Sequence, residues 1–185
     1  MMRGLLVASM LVALAACQPA PQASKSAAAV VVAPAVSLHA VRDGLYTAGQ
    51  PSGSDWSAIS ARGVRTVINL RPAEEMAGRD EAAEVAAAGM RYITIPVANA
   101  EAITPEAARQ LEGVLREAQG PVLLHCASGN RAGGLLAVTA AQQEGMPADQ
   151  AVQLGRRAGM KSTETRVRHV LGLPADPSAK EPAPK

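Results

Sequence analysis

The 185-residue sequence contains no phenylalanine, and its whole aromatic complement is Tyr46, Trp56 and Tyr92. Recognition of single strands by base stacking needs aromatic platforms, so a nucleic-acid partner is not expected. Charge is equally sparse: 18 Lys and Arg against 16 Asp and Glu leave a formal net charge of +2. That is too small to argue for a polyanion partner. Three scattered histidines and two cysteines provide no ligand set at zinc spacing, and no metal or other cofactor is implied. No internal repeat is visible. The apolar run Gly4 to Ala16 has thirteen residues, short of the roughly 20 that a membrane-spanning helix requires.

That run instead has the form of a secretory signal. Met1-Met2-Arg3 precedes it as a minimal basic region, and a small-residue end follows. The end, Leu14-Ala15-Ala16-Cys17, resembles the bacterial lipobox. The resemblance implies cleavage before Cys17 and lipid attachment to it, on the periplasmic side of the cell envelope. Gln18 in place of Asp after that cysteine points by the same analogy to the outer membrane. Residues 18–37 are rich in Ala, Pro and Ser without helical periodicity and read as a flexible tether. Residues 175–185 read as a disordered tail. Between them, 38–174 is long enough to bury one proper core. With Cys17 lipidated, Cys126 has no intramolecular disulfide partner, and a free thiol in an oxidising compartment implies a task or full burial.

Within 38–174 the pattern alternates. Leu38 to Val41, Leu45 to Ala48, Arg65 to Leu70, Met90 to Val97 and Pro121 to His125 read as strands. Helices are expected from Ser54 over Trp56 and Ile59, and from Arg79 to Ala88. A third runs from the Thr104 cap with Pro105 in its first turn, then another over Ala132 to Gln143, with helix continuing through Gly172. Alternation of this kind gives an α/β fold with a mostly parallel sheet of four to five strands, covered on both faces. Ligands then bind beyond the carboxyl ends of the strands.

Cys126 falls at such an end. The stretch His125-Cys126-Ala127-Ser128-Gly129-Asn130-Arg131 links the apolar strand Val122-Leu123-Leu124 to a helix. A small-residue loop opening a helix aims successive N–H groups at one point, and the helix terminus adds partial positive charge there. Ala127, Ser128, Gly129 and Asn130 form that cradle. Arg131 adds a permanently charged fork suited to phosphate-like oxygens. A thiol in such a field is expected to ionise readily and act as a nucleophile. His125 either supports the loop and tunes the thiolate or is a packed strand-end residue.

The order His-Cys, Gly, Arg from strand to helix resembles the signature loop of cysteine-dependent protein-tyrosine and dual-specificity phosphatases. Upstream, Leu45-Tyr46-Thr47-Ala48-Gly49-Gln50-Pro51 and Gly63-Val64-Arg65-Thr66-Val67-Ile68-Asn69-Leu70-Arg71-Pro72, followed by Glu74 and Glu75, resemble the phosphatase-like domain of beta-lactamase hydrolase-like proteins. The resemblance covers about residues 38 to 174 and implies a three-layer phosphatase-like fold. It also implies phosphoester hydrolysis through a phospho-cysteine on Cys126, with Arg131 holding the transferred group.

Three departures keep other chemistries open. Four residues separate Cys126 from Arg131 where the phosphatases usually have five, a shorter loop like that of rhodanese-type sulfurtransferases. Ala132 stands where those phosphatases carry Ser or Thr. Their acidic loop contains Asp, whereas Ala98-Asn99-Ala100-Glu101-Ala102 has none, leaving Glu101 as either a proton donor or a solvated loop residue. The expected partner is therefore an anionic substrate, phosphorylated or a sulfur donor. A persulfide-forming sulfurtransferase and an inactive phosphate- or sulfate-binding module remain as alternatives. Arg71 reads either as a second positive charge for substrate or as a partner of Glu74 or Glu75, and Gln50 as a pocket or turn residue. The basic cluster Arg156, Arg157, Lys161, Arg166 and Arg168 reads as an anion patch or a solvated helix face.

Overall fold

A computed structural model describes Ala33 and residues 35–176. The leader, Cys17, all but the last residues of the tether and the tail from 177 lie outside them.

Two strands, β3 (Thr66–Asn69) and β5 (Val122–His125), are buried along their whole length. Continuous burial is what a parallel strand covered on both faces requires. With β1 (His39–Arg42), β2 (Leu45–Ala48) and β4 (Arg91–Thr94) they form one sheet in the order β1-β2-β5-β3-β4. Only the β1–β2 pair is antiparallel. The register sets Ala48 and Asn69 on either side of His125, so β2, β5 and β3 end level with one another. Cys126 is the next residue, at the carboxyl edge of the middle strand.

Helices cover both faces. On one, α1 (Trp56–Ala61) and α2 (Glu81–Ala87) bury Trp56, Ile59 and Val85 against Val67 and Leu123. On the other, α3 (Pro105–Glu117), α4 (Asn130–Gln142), α5 (Ala148–Arg157) and α6 (Glu164–Val170) enclose the larger core around Leu124, Leu135 and Leu136. The two-residue period of β5 therefore sends Leu123 and His125 to the first layer. Val122, Leu124 and Cys126 go to the second.

Local chemistry explains the boundaries. Thr104 accepts from the Ala107 N–H and Pro105 fills the first turn of α3. Asp80 caps α2 through the Ala83 N–H, so that helix starts two residues later than the apolar pattern implies. α4 carries glycine at 133 and 134 because it lies very close to its neighbours there. A Cβ on Gly133 would stand 2.5 Å from the Met160 nitrogen, and one on Gly134 would stand 2.7 Å from Thr163 Oγ1. The helix expected to run on through Gly172 is broken twice, between Gln142 and Ala148, where Gly145 has φ +72, and between Arg157 and Glu164. Gly159 adopts φ +97 there, a conformation that favours glycine. Among the described residues no helix is long and apolar enough to cross a membrane.

Candidate active site

The loop after β5 is held from behind by the end of β2. Gln50 N–H donates to the Ala127 carbonyl at 3.1 Å, and Cys126 N–H reaches the Ala48 carbonyl at 3.4 Å. Gly49 allows this close approach, since a Cβ there would stand 3.2 Å from the Ala127 oxygen and push the loop back by a few tenths of an ångström. Gly129 turns the chain into α4 with φ +84. The first N–H groups of α4 then have no intrahelical acceptor and remain for a ligand. Asn130 belongs to this ring through its backbone only. Its side chain accepts from the Lys161 N–H at 2.7 Å and donates to Ser162 Oγ at 2.8 Å, fastening the α5–α6 loop beside the cradle.

Cys126 is fully buried at the base of the loop. Arg131 is immobilised beside it. Its Nη1 and Nη2 bind Glu75 Oε1 and Oε2 end-on at 2.6 and 2.7 Å, and Nη1 also donates to the Val97 carbonyl at 2.7 Å. Among the described residues no protein oxygen takes the remaining edge, Nε–H with the second Nη2 hydrogen. Two parallel donors on one guanidinium edge match two oxygens of a tetrahedral anion. Arg131 is held further into its charged form by the hydrogen bond to Glu75, against the opposing effect of burial, and by the Cys126 sulfur. Glu75 in turn lies below its ordinary pKa, chiefly through the Arg131 hydrogen bond, with burial opposing and Arg71 adding.

Arg71 does not reach into the cradle. Its Nε donates to Glu75 Oε2 at 3.2 Å, Nη2 donates to the Glu75 carbonyl and Nη1 donates to Gln50 Oε1 at 2.5 Å. It clamps the 3-10 turn Ala73–Met76 that carries Glu75. Gln50 likewise is no free pocket residue, because Nε2 donates to Glu81 Oε2. Glu101 has a side chain 77% exposed and paired with Arg166 at 3.1 Å, turned toward α6. The basic cluster is mostly neutralised: Arg156 and Arg168 share Glu164, and Arg156 also meets Asp176.

His125 is buried and stacks edge-on against Trp56 at 6.1 Å between ring centroids. Its Nε2 lies 2.9 Å from Glu81 Oε1, a close contact outside straight hydrogen-bond geometry. Burial by itself would raise the Glu81 carboxyl. The neighbouring His125, Gln50 and Arg79 outweigh it and leave Glu81 below its ordinary value.

Glu75 and Glu81 were not legible as a pair of supports. The available signal for Glu81 was its position four residues before Val85, on the helix face that carries the core. The lowered carboxyls have a consequence for stability. A group whose folded pKa lies below its unfolded value stabilises the fold above the unfolded pKa, about 4.3 for Glu. That contribution is lost as pH falls through the folded value. Glu75, Glu81 and Glu84 are all lowered. Thermal melts followed by circular dichroism are therefore expected to show Tm falling below about pH 4. Glu75→Gln should show a shallower acid loss than wild type, and an equal slope would refute the assignment.

The family described as beta-lactamase hydrolase-like protein, phosphatase-like domain, matches residues 37–143. A beta-lactamase hydrolase-like protein of Agrobacterium fabrum is 38% identical over 96 residues, which are 50% of this chain and 22% of that protein. The chain thus spans about a fifth of that relative's length. Among solved structures, a candidate phosphatase of Neisseria meningitidis superimposes with a TM-score of 0.61 at 25% identity, over 70% of this chain and 95% of the other. TpbA of P. aeruginosa in complex with phosphotyrosine gives a TM-score of 0.52 at 23% identity, over 70% and 79% of the two chains. These likenesses agree with the five-stranded, mostly parallel sheet between helical layers. The chain belongs to the phosphatase-like domain family of beta-lactamase hydrolase-like proteins and has the fold of the protein-tyrosine phosphatase superfamily.

Proposed function

We propose that this protein is a cysteine-dependent phosphatase acting on phosphomonoesters with good leaving groups, tethered in the cell envelope. The observation that carries the reading is the pairing of Cys126 with an Arg131 whose outer edge is already fixed by Glu75. Cys126 Sγ attacks phosphorus and forms the S–P bond as the ester P–O bond breaks. Arg131 and the loop N–H groups hold the equatorial oxygens. Water then attacks the phospho-cysteine, the S–P bond breaks, and inorganic phosphate leaves with the thiolate restored. No Asp stands on the loop 98–102, and Glu101 is turned to Arg166. The leaving oxygen then takes its proton from solvent, which favours aryl over alkyl phosphates. Phosphotyrosine bound by TpbA supports an aryl phosphate as the substrate class.

A second reading, sulfur transfer through a Cys126 persulfide, is favoured by the four-residue spacing to Arg131. One experiment separates them. The protein is incubated with an aryl phosphate, and separately with thiosulfate alone, which would leave one sulfur on Cys126 and release sulfite, with intact mass read after acid quench before cyanide is added to take that sulfur off as thiocyanate. Phosphate release with a phosphorylated Cys126 is expected. A gain of one sulfur atom without phosphate release would install the second reading, and binding without either reaction would leave an inactive anion-binding module.

Lipid attachment at Cys17 would place this activity in the envelope, and the Ala/Pro-rich tether would give it a reach on the order of 25 Å. Fatty-acid labelling of wild type and Cys17→Ser tests the anchor. Equal labelling of both, or of neither, would remove it.

A further inference from the structure

The two ends of the anion loop are joined by side chains as well as by backbone. From His125, immediately before Cys126, contacts run to Glu81, then to Gln50, Arg71, Glu75 and finally Arg131. Gln50 is the one member of this path without an ionisable group. Gln50 stands between a cation that can only donate and a carboxylate that can only accept. That fixes its amide orientation, oxygen to Arg71 and nitrogen to Glu81.

We propose that Gln50 is a positioning residue that couples the buried Glu81–His125 pair beneath Cys126 to the Arg71–Glu75 clamp aiming Arg131. Resting on the phosphatase reading above, it assigns Gln50 a role in setting where the guanidinium sits relative to the sulfur. An amide is the group that fits this position. A thioether satisfies neither neighbour, and a carboxylate satisfies Arg71 while opposing Glu81. The groups facing the site come from four elements: Arg71 and Glu75 after β3, Arg79 and Glu81 at the start of α2, His125 at the end of β5, and Tyr92 on β4. Arg79 Nη1 is 3.7 Å from Glu81 Oε2 and cannot replace the amide at hydrogen-bond distance.

Gln50→Met keeps the volume and removes all three side-chain hydrogen bonds, those to Glu81 and Arg71 and the one from Nε2 to the Pro51 carbonyl at 3.1 Å. It is expected to lower kcat/KM for an aryl phosphate about ten- to a hundredfold and to weaken tungstate binding in parallel. Circular dichroism should remain that of the wild type. Gln50→Glu supplies the readout that a merely structural role would not move. Its introduced carboxyl donates to Glu81 only when protonated, so its activity relative to wild type should climb as pH is lowered from about 6 to about 4, through the ordinary carboxyl range. A flat ratio over that range, or Gln50→Met within about twofold of wild type, would overturn the coupling. If the wild type turns over no aryl phosphate, tungstate titration by calorimetry decides alone. Weakened binding in Gln50→Met then sustains the coupling and sinks the reaction, whereas unchanged binding sinks the coupling.

Discussion

Cys126→Ser is expected to abolish hydrolysis of an activated aryl phosphate, with a loss of at least about 1,000-fold in kcat. The reason is chemical rather than structural. A thiol is partly ionised near neutral pH and is intrinsically strongly nucleophilic, while an alcohol needs a neighbouring base to reach comparable reactivity. Among the groups described around Cys126, Arg131 is a donor only and Glu75 is engaged by two arginines, so no base stands ready for a hydroxyl. The fold should survive. Cys126 is fully buried, but it borders the polar cradle, and a hydroxyl there can reach the same donors as the sulfur. A cost of about 1 kcal/mol corresponds to a Tm change of about 2–8 °C. Turnover, tungstate affinity and a thermal melt of the variant check all three statements. Wild-type turnover in Cys126→Ser would reject the nucleophile.

Much of this arrangement is legible in residue order, because local rules and tertiary packing agree there. β2 and α3 have their boundaries where Gly44, Thr104 and Pro105 put them. The cradle could be read from Cys126 to Arg131 because each step, strand end, glycine turn and helix start, is a local event. Where long-range contacts decide, the reading fails. The strand expected over Met90 to Val97 ends at Thr94, since Pro96 lacks an N–H, although Ile95 and Val97 still donate to Asn69 and Leu70. The break between α5 and α6 depends on Asn130, some thirty positions upstream, whose side chain organises Lys161 and Thr163. Arg71 is displaced from a substrate role by Glu75, and Glu75 acts on Arg131 across a sequence separation of 56 residues. No periodicity encodes such a pairing. A charged residue on a core-facing position, such as Glu81, is the sequence trace that it leaves.

Arg131→Lys is expected to lower kcat/KM about 100- to 1,000-fold while keeping the positive charge. The size of the effect comes from shape. In the native site one edge of the guanidinium is taken by Glu75 and Val97, and the side edge, Nε with Nη2, still offers two parallel donors to the anion. An ammonium is a point charge on a flexible stem and cannot serve both directions at once. With lysine at 131, Glu75 would compete with the substrate for that single charge, so the carboxylate changes from a support into a rival. Glu75→Gln in the wild-type background should cost about tenfold, because Arg131 loses an end-on partner and its aim. In the Arg131→Lys background the same change should cost nothing or restore some activity, since it removes the rival. The two substitutions therefore should not add. A double-mutant cycle on kcat/KM measures this directly. Additive losses would mean that Glu75 acts on the site by some route other than the Arg131 fork.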